Sequence, residues 1–327
     1  MPRLSVVIPV YNAEKYLRQS LDSVFSGSPG DIEVVCVDDG STDSSPAILA
    51  EYAAKDGRLR VLTQANSGQG AARNRGLEIA SGEYIYFMDA DDELVAPDAL
   101  ARLVAVADAD SLDALFFDAE TRVDEGIVVP PSAVRAEDYI RRRDYSSVRT
   151  GQELFAQFLA NKEYTVSPCL VLLRRAFLEE NAIRFPSERI FYEDNIFMTR
   201  VMLAAKRASH RPWRLYLRKV HANSTVTSKP TMRHLLGYLS CYRDACDLLA
   251  RGGWDRATRS ALRARRRIYK LNIRRLAERV AMDAATREEL APILRYPLGE
   301  KIVNAFHCLS ERGLGFTVKR ILFGRQP

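Results

Sequence analysis

Two acidic turns, Asp38-Asp39-Gly40-Ser41-Thr42-Asp43 and Asp89-Ala90-Asp91-Asp92, each directly follow a short apolar run. Carboxylates gathered within a few residues repel one another unless a cation or hydrogen-bond donors compensate them. Mg2+ and Mn2+ are hard cations that use one or two protein carboxylates together with substrate phosphates, so such turns suit a metal and a diphosphate. Each turn also has a structural alternative. Asp92-Glu93 can open a helix over Ala99 to Ala107, and Gly40 with Ser41-Thr42-Asp43 can turn the chain and cap the helix after Pro46. An isolated Asp-x-Asp is weak evidence, but two acidic turns behind two apolar strands favour the chemical reading. At Ser41 to Asp43 capping and ligand contact are compatible.

The elements that must position these turns are legible nearby. Ser5 to Val10, Glu33 to Val37 and Tyr84 to Met88 are β-branched and aromatic runs of buried-strand length. Helical patterns at Glu14 to Phe25, Pro46 to Lys55 and Gly68 to Ala80 lie between them, so the order reads strand, helix, strand, helix, strand, helix, strand. That alternation predicts an α/β fold, a parallel sheet with helices on both faces. Ligands of such sheets bind beyond the carboxyl ends of the strands, where Pro9 to Tyr11, Asp38-Asp39 and Asp89 to Asp91 would all emerge.

Other motifs narrow the chemistry. Asn66 to Asn74 offers Gly68-x-Gly70, but Arg73 stands where a dinucleotide fingerprint needs its third glycine, which rejects a nicotinamide site. No Gly-x-x-x-x-Gly-Lys-Ser/Thr loop is present. Glu193-Asp194 precede an apolar helix, Ile196 to Ala205, and on the residues alone read as acids stabilising its N-terminus. Arg218-Lys219-Val220-His221 close a strand-like run, Trp213 to Leu217, placing cations and an imidazole together. His210, His221, His234 and His307 show no i,i+4 metal spacing.

The 327 residues are 47% hydrophobic, enough for a sizeable core. No run approaches the roughly 20 apolar residues of a membrane span, and the N-terminus enters a strand without a leader. The expectation is a cytoplasmic protein, free or peripheral on the cytoplasmic membrane face. Cys36, Cys169, Cys241, Cys246 and Cys308 are scattered and odd in number, which reads as reduced thiols rather than a disulfide framework or zinc site. The net charge of +6 conceals an asymmetry, −5 over residues 1–250 and +11 over 251–327. The basic character belongs to the tail.

Taken together, Ser5-Val6-Val7-Ile8-Pro9-Val10-Tyr11-Asn12, Val37 to Asp43, Asn66 to Gly76, Phe87 to Asp92 and Glu193-Asp194 resemble the family 2 glycosyltransferases of the GT-A fold, the group that builds bacterial capsule, O-antigen and other surface glycans. The resemblance covers about residues 3 to 225. It implies a Rossmann-like, mostly parallel sheet with flanking helices for a catalytic domain over 1–225, followed by a helical, basic region over 226–327 with its boundary at Asn223 to Pro230.

The resemblance also implies roles. Pro9 and Tyr11 would frame the base of a nucleotide sugar, Asp39 would read it, Asn66 and Arg73 would assist, and Asp89 would hold the ribose. Asp91, with Asp89 and His221, would hold Mn2+ or Mg2+, and Arg218 would close over the diphosphate. Asp194, with Glu193 beside it, would be the base that deprotonates an acceptor hydroxyl, so that direct attack inverts the anomeric carbon. A UDP-sugar donor and a glycan or lipid-linked acceptor follow from the same resemblance. Val123 to Thr150 follows no family pattern, and its Arg141-Arg142-Arg143 reads as a solvated charge run.

Trp254 to Val280 is helical in pattern. Leu262, Tyr269, Ile273, Leu276 and Val280 lie near one face, and Arg259, Arg263, Arg266, Arg267, Lys270 and Arg274 largely on another. Two readings stand: a basic helix lying on anionic lipid, or an apolar face packed on the catalytic domain or a partner chain. Self-association is left open. Nucleic acid ranks last, because no recognition module or aromatic platform is present. Two competing functions remain, a nucleotidyltransferase, disfavoured by the missing Gly-rich basic loop after the first strand, and a catalytically silent assembly subunit.

Overall fold

The computed structural model describes residues 2–26, 31–124, 139–221 and 229–294. The strands are β1 (Leu4–Val10), β2 (Ile32–Asp38), β3 (Leu59–Thr63), β4 (Tyr84–Phe87), β5 (Glu93–Leu94), β6 (Ala114–Val123), β7 (Val171–Arg174) and β8 (Ala208–Val220). The helices are α1 (Leu17–Phe25), α2 (Ser45–Lys55), α3 (Gln69–Ile79), α4 (Ala99–Ala109), α5 (Gly151–Ala160), α6 (Arg175–Glu180), α7 (Glu193–Ala204), α8 (Met232–Arg251), α9 (Arg256–Ala277) and α10 (Ala284–Leu294). Among the described residues the strands form one sheet in the order β3-β2-β1-β4-β7-β6-β8-β5.

The first four strands are parallel, as the strand-helix alternation predicts. Beyond β4 the sheet is mixed: β7 pairs antiparallel with both β4 and β6, β8 pairs parallel with β6, and β5 runs antiparallel to β8. Glu93 is therefore a strand residue paired with Leu217, and α4 starts later, after Asp98, without a side-chain cap. The alternative of an acidic helix start at Asp92-Glu93 gives way to a strand pairing that ties the acidic loop to β8.

Period-2 side-chain alternation divides the core into two faces. Val6, Ile8, Val34, Cys36, Tyr84 and Tyr86 point to one, where α1 and α2 cover them with Leu17, Leu21, Val24, Ile48 and Leu49. Val7, Val35, Val37, Ile85 and Phe87 point to the other, covered by Ala72 and Leu77 of α3, Phe155 and Phe158 of α5, and Phe197 and Met202 of α7. Helix α3 lies so close to the sheet that a methyl group on Gly76 would collide with Val7. This contact sets the depth of the helix that carries Arg73.

The C-terminal helices join the second face. Ala261 and Leu262 of α9 belong to the same apolar cluster as α5 and α7, Tyr269 packs with Ile196 and Cys241, and Ile273 with Leu235 and Leu239. The apolar face of α9 is thus turned inward. Arg259, Arg263 and Arg267 stay exposed, but Arg274, expected on the basic face, is buried with its Nε donating to the Ile293 carbonyl. No helix among the described residues is long and apolar enough to cross a membrane. Most of the Asn223 to Pro230 boundary, and His307 and Cys308, lie outside the described residues. Of the described cysteines, Cys36, Cys169 and Cys241 are buried free thiols and Cys246 is partly buried.

Candidate active site

The carboxyl ends of β1, β2 and β4 open into a cleft of about 1620 Å³. Pro9, Tyr11, Asp39, Asn66, Asp89, Asp91, Asp194, Arg218 and His221 all line it, although they come from segments as much as 212 residues apart. Arg73 and Glu193 do not face the cleft. Arg73 is 1% and Glu193 2% exposed, so the structure makes them the buried support of the site.

The Arg73 guanidinium is the centre of a carboxylate cluster. Nη2 donates to Asp89 Oδ1 at 2.7 Å, while Nη1 donates to Asp194 Oδ1 at 2.9 Å and to Glu193 Oε1 at 3.3 Å. Burial alone would lower the Arg73 pKa, but Asp194, Asp89 and Glu193 outweigh it and hold the cation charged. Burial pushes the Asp194 carboxyl up to about 8, against the pull of Arg73 and with help from Glu193 and Asp89. Asp194 and Glu193 begin α7 after Tyr192, whose φ of 66° is left-handed, a conformation costly for a bulky residue. Tyr192 is held there by its ring stacked on Tyr238 of α8, 4.0 Å between centroids.

Asp89, Asp91 and Asp92 each offer an oxygen within 4.8 Å of the others. Asp92 is 4% exposed and already engaged at both oxygens, by Tyr216 Oη at 2.7 Å and the Lys219 amide at 2.7 Å. Burial and the charges of Asp91 and Asp89 raise its pKa well above the usual carboxylate range. It anchors the turn to β8. His221 Nε2 lies 2.8 Å from Asp91 Oδ2 and its ring stacks on Tyr16 at 4.7 Å. The donor set therefore fits a hard cation at Asp91 and Asp89, with His221 bonded to the Asp91 carboxylate. Arg218 lies over the Tyr139 ring at 4.9 Å, and the Lys219 ammonium is drawn aside to Glu93 and Gln19.

On the opposite side of the strand ends, Asp39 accepts from Gln64 Nε2 and Ser67 N on one oxygen and from Gly68 N on the other. A carboxylate has about four acceptor sites, so one remains for a ligand. The loop after β1 is tied to the Ser41–Asp43 turn by Asn12 N to Ser41 Oγ, Thr42 N to Asn12 Oδ1, and Glu14 N to Asp43 Oδ2. Asp43 also accepts from Ser45 N at the start of α2, so the turn caps the helix while Tyr11, 50% exposed, faces the cleft.

Two departures came from burial. Arg141, expected in a solvated run, is 3% exposed and pairs with Asp118 at 3.1 Å, where His210 Nε2 also lies 2.9 Å away. Burial lowers the pKa of both Arg141 and His210. Arg142 and Arg143 remain exposed. The second departure is Arg265 with Tyr164, Asn195 and Tyr269, a cleft wall that sequence reading missed. A signal was present: Arg265 falls on the apolar face of α9, three residues from Leu262 and four from Tyr269, where a charge is out of place.

Residues 5–181 match the family model for Glycosyl transferase family 2. EpsH of Bacillus subtilis (strain 168) is 34% identical over 234 residues, 69% of this chain and 63% of its own. The uncharacterized glycosyltransferase YibD of Escherichia coli (strain K12) is 32% identical over 226 residues, 68% of this chain and 62% of its own. The matches thus span somewhat under two thirds of those relatives. Among solved structures, S. aureus TarS 1-349 in complex with UDP-GlcNAc aligns with a TM-score of 0.61 and 25% identity, covering 85% of this chain and 72% of that one.

Proposed function

The chain belongs to glycosyl transferase family 2, and from that premise we propose that it moves a sugar from a UDP-sugar to a hydroxyl of a glycan or lipid-linked acceptor in bacterial surface polysaccharide synthesis. The observation that carries this reading is the single buried guanidinium of Arg73 bonded to both Asp89 and Asp194. It joins a carboxylate of the diphosphate side and a carboxylate whose pKa burial raises to about 8 in one hydrogen-bonded unit. The UDP-GlcNAc complex of the S. aureus relative supports the choice of donor.

In this reading Pro9 and Tyr11 frame the base, Asp39 accepts from it at its remaining site, Asn66 lies beside it, and Asp89 holds the ribose. Asp194 removes the acceptor proton as the hydroxyl oxygen bonds to the anomeric carbon, while the bond from that carbon to the diphosphate oxygen breaks. Attack opposite the leaving group inverts the centre. Mn2+ or Mg2+ held by Asp91 and Asp89 would offset the charge developing on the diphosphate. His221 steadies Asp91, Arg218 adds positive charge nearby, and Arg73 and Glu193 position the carboxylates without touching substrate. Residues 1–225 carry this chemistry, and α8 and α9 line the cleft with Arg233, Tyr238, Arg265 and Tyr269.

The test is release of nucleoside diphosphate from a panel of nucleotide sugars, with and without Mn2+ or Mg2+, in wild type and Asp91→Ala. Metal-dependent release from a UDP-sugar, lost in the variant, is expected. Free sugar as the other product excludes nucleotidyl transfer. Absence of both release and metal-dependent nucleotide binding would instead support a silent assembly role.

A further inference from the structure

Arg265 is 8% exposed, yet it lines the cleft. Its Nε and Nη2 donate to Tyr269 Oη at 3.2 and 2.9 Å, and Nη2 also donates to Asn195 Oδ1. The guanidinium lies over the rings of Tyr164 and Tyr269, 5.0 and 4.7 Å from their centroids. All of these partners are neutral. No carboxylate pairs with Arg265 among the described residues.

Buried cations are ordinarily paired with an anion, because an uncompensated charge out of water is costly. An arginine held by two tyrosine rings and an amide is fixed in place while its charge stays unmatched. Nε and both protons of Nη2 are engaged by Tyr269 and Asn195, which leaves Nη1 to make charge-assisted hydrogen bonds to an oxyanion, phosphate or carboxylate. Asn195 follows Asp194 on the first turn of α7, and Arg265 lines the same cleft as both. It comes from α9, not from the strand ends that carry Pro9, Asp39 and Asp89. Lys162, Arg189 and Arg233 line the same cleft with exposed cations.

We propose that Arg265, oriented by Asn195 and Tyr269, forms an oxyanion subsite in the acceptor half of the cleft, so that the acceptor carries a phosphate or carboxylate close to the hydroxyl that receives the sugar. This assignment of acceptor chemistry rests on the glycosyl-transfer reading.

The experiment fills the donor half first. The full chain is saturated with UDP and MgCl2, then titrated with methyl phosphate, glucuronate or glucose, with binding followed by NMR. At least one anion is expected to bind about tenfold or more tightly than glucose, and Arg265→Gln to weaken it about 10- to 100-fold, the range for charge-assisted hydrogen bonds. UDP affinity should be unchanged in that variant. Arg265→Lys, which keeps the charge and loses the planar guanidinium, should fall between them. Preference for methyl phosphate points to a phosphate-bearing acceptor, and preference for glucuronate to an acidic sugar. The subsite is overturned if neither anion exceeds glucose in wild type, a comparison that needs no variant. It is equally overturned if folded Arg265→Gln binds the anion unchanged, or if UDP displaces the anion. Failure of UDP itself to bind would count against the donor reading alone, since the Arg265 dependence of anion binding is also measured without UDP.

Discussion

Arg73 and Arg265 are both buried and both bond to residues in the first turn of α7, but their surroundings are opposite. Arg73 meets three carboxylates, Arg265 two tyrosines and an asparagine. The first is a closed electrostatic unit in which acids hold the cation and the cation holds the acids. The second is a cation held in place by neutral groups. Burial of a charge therefore has two meanings in this cleft: compensation from within the protein marks a scaffold, and its lack marks a surface prepared for a ligand.

The largest expected effect strikes what the scaffold supports. Asp194→Asn should lower turnover about 10²- to 10⁴-fold, the range of general base catalysis, with UDP-sugar affinity nearly unchanged in calorimetry. Near-normal turnover would remove Asp194 from the role. Because the base acts deprotonated and burial lifts its pKa to about 8, wild-type kcat/KM should rise with pH and level off above about 8. The linked stability has the opposite sign. A raised native pKa contributes stability that is full below the unfolded value of about 3.9 and lost as pH rises through the folded one. Denaturant titrations should show a downward slope across that interval that is reduced in Asp194→Asn.

Next in size, Arg73→Met leaves the buried Glu193 without its cation and should cost about 3–5 kcal/mol in chemical unfolding, because removing one partner of a buried pair strands the other. Arg265→Gln should cost less, about 1–3 kcal/mol, since it strands only neutral partners. Equal losses for the two variants would erase the distinction between scaffold and ligand surface. Smallest of all, Arg263→Ala on the exposed side of α9 should stay within about 0.5 kcal/mol of wild type, separating the buried arginine from its solvated neighbours.

Much of the donor half is legible in sequence because its signals are local. An apolar run of strand length followed by Asp38-Asp39 or Asp89 to Asp91 announces both the element and what emerges from its end, and parallel pairing of β1, β2 and β4 then aligns those ends. Asp92 shows where this stops. Its type and spacing match a metal ligand, but Tyr216 and the Lys219 amide, more than a hundred residues away, occupy its oxygens. Arg141 likewise reads as one of three solvated arginines until Asp118 and His210 bury it.

By itself the sequence determined the alternation of strands and helices, the placing of acidic turns at strand ends and the amphipathic face of α9, since each follows from backbone periodicity and side-chain polarity over a few residues. Only the tertiary structure decided which charged groups share a partner. It sank Arg73 under the cleft among Asp89, Glu193 and Asp194, inserted antiparallel β7 into the sheet, and brought Arg265 from the basic tail to stand next to Asn195. Whether a buried charge is balanced depends on which distant side chains arrive within about 3 Å of it, and that distance is set by packing across the whole fold.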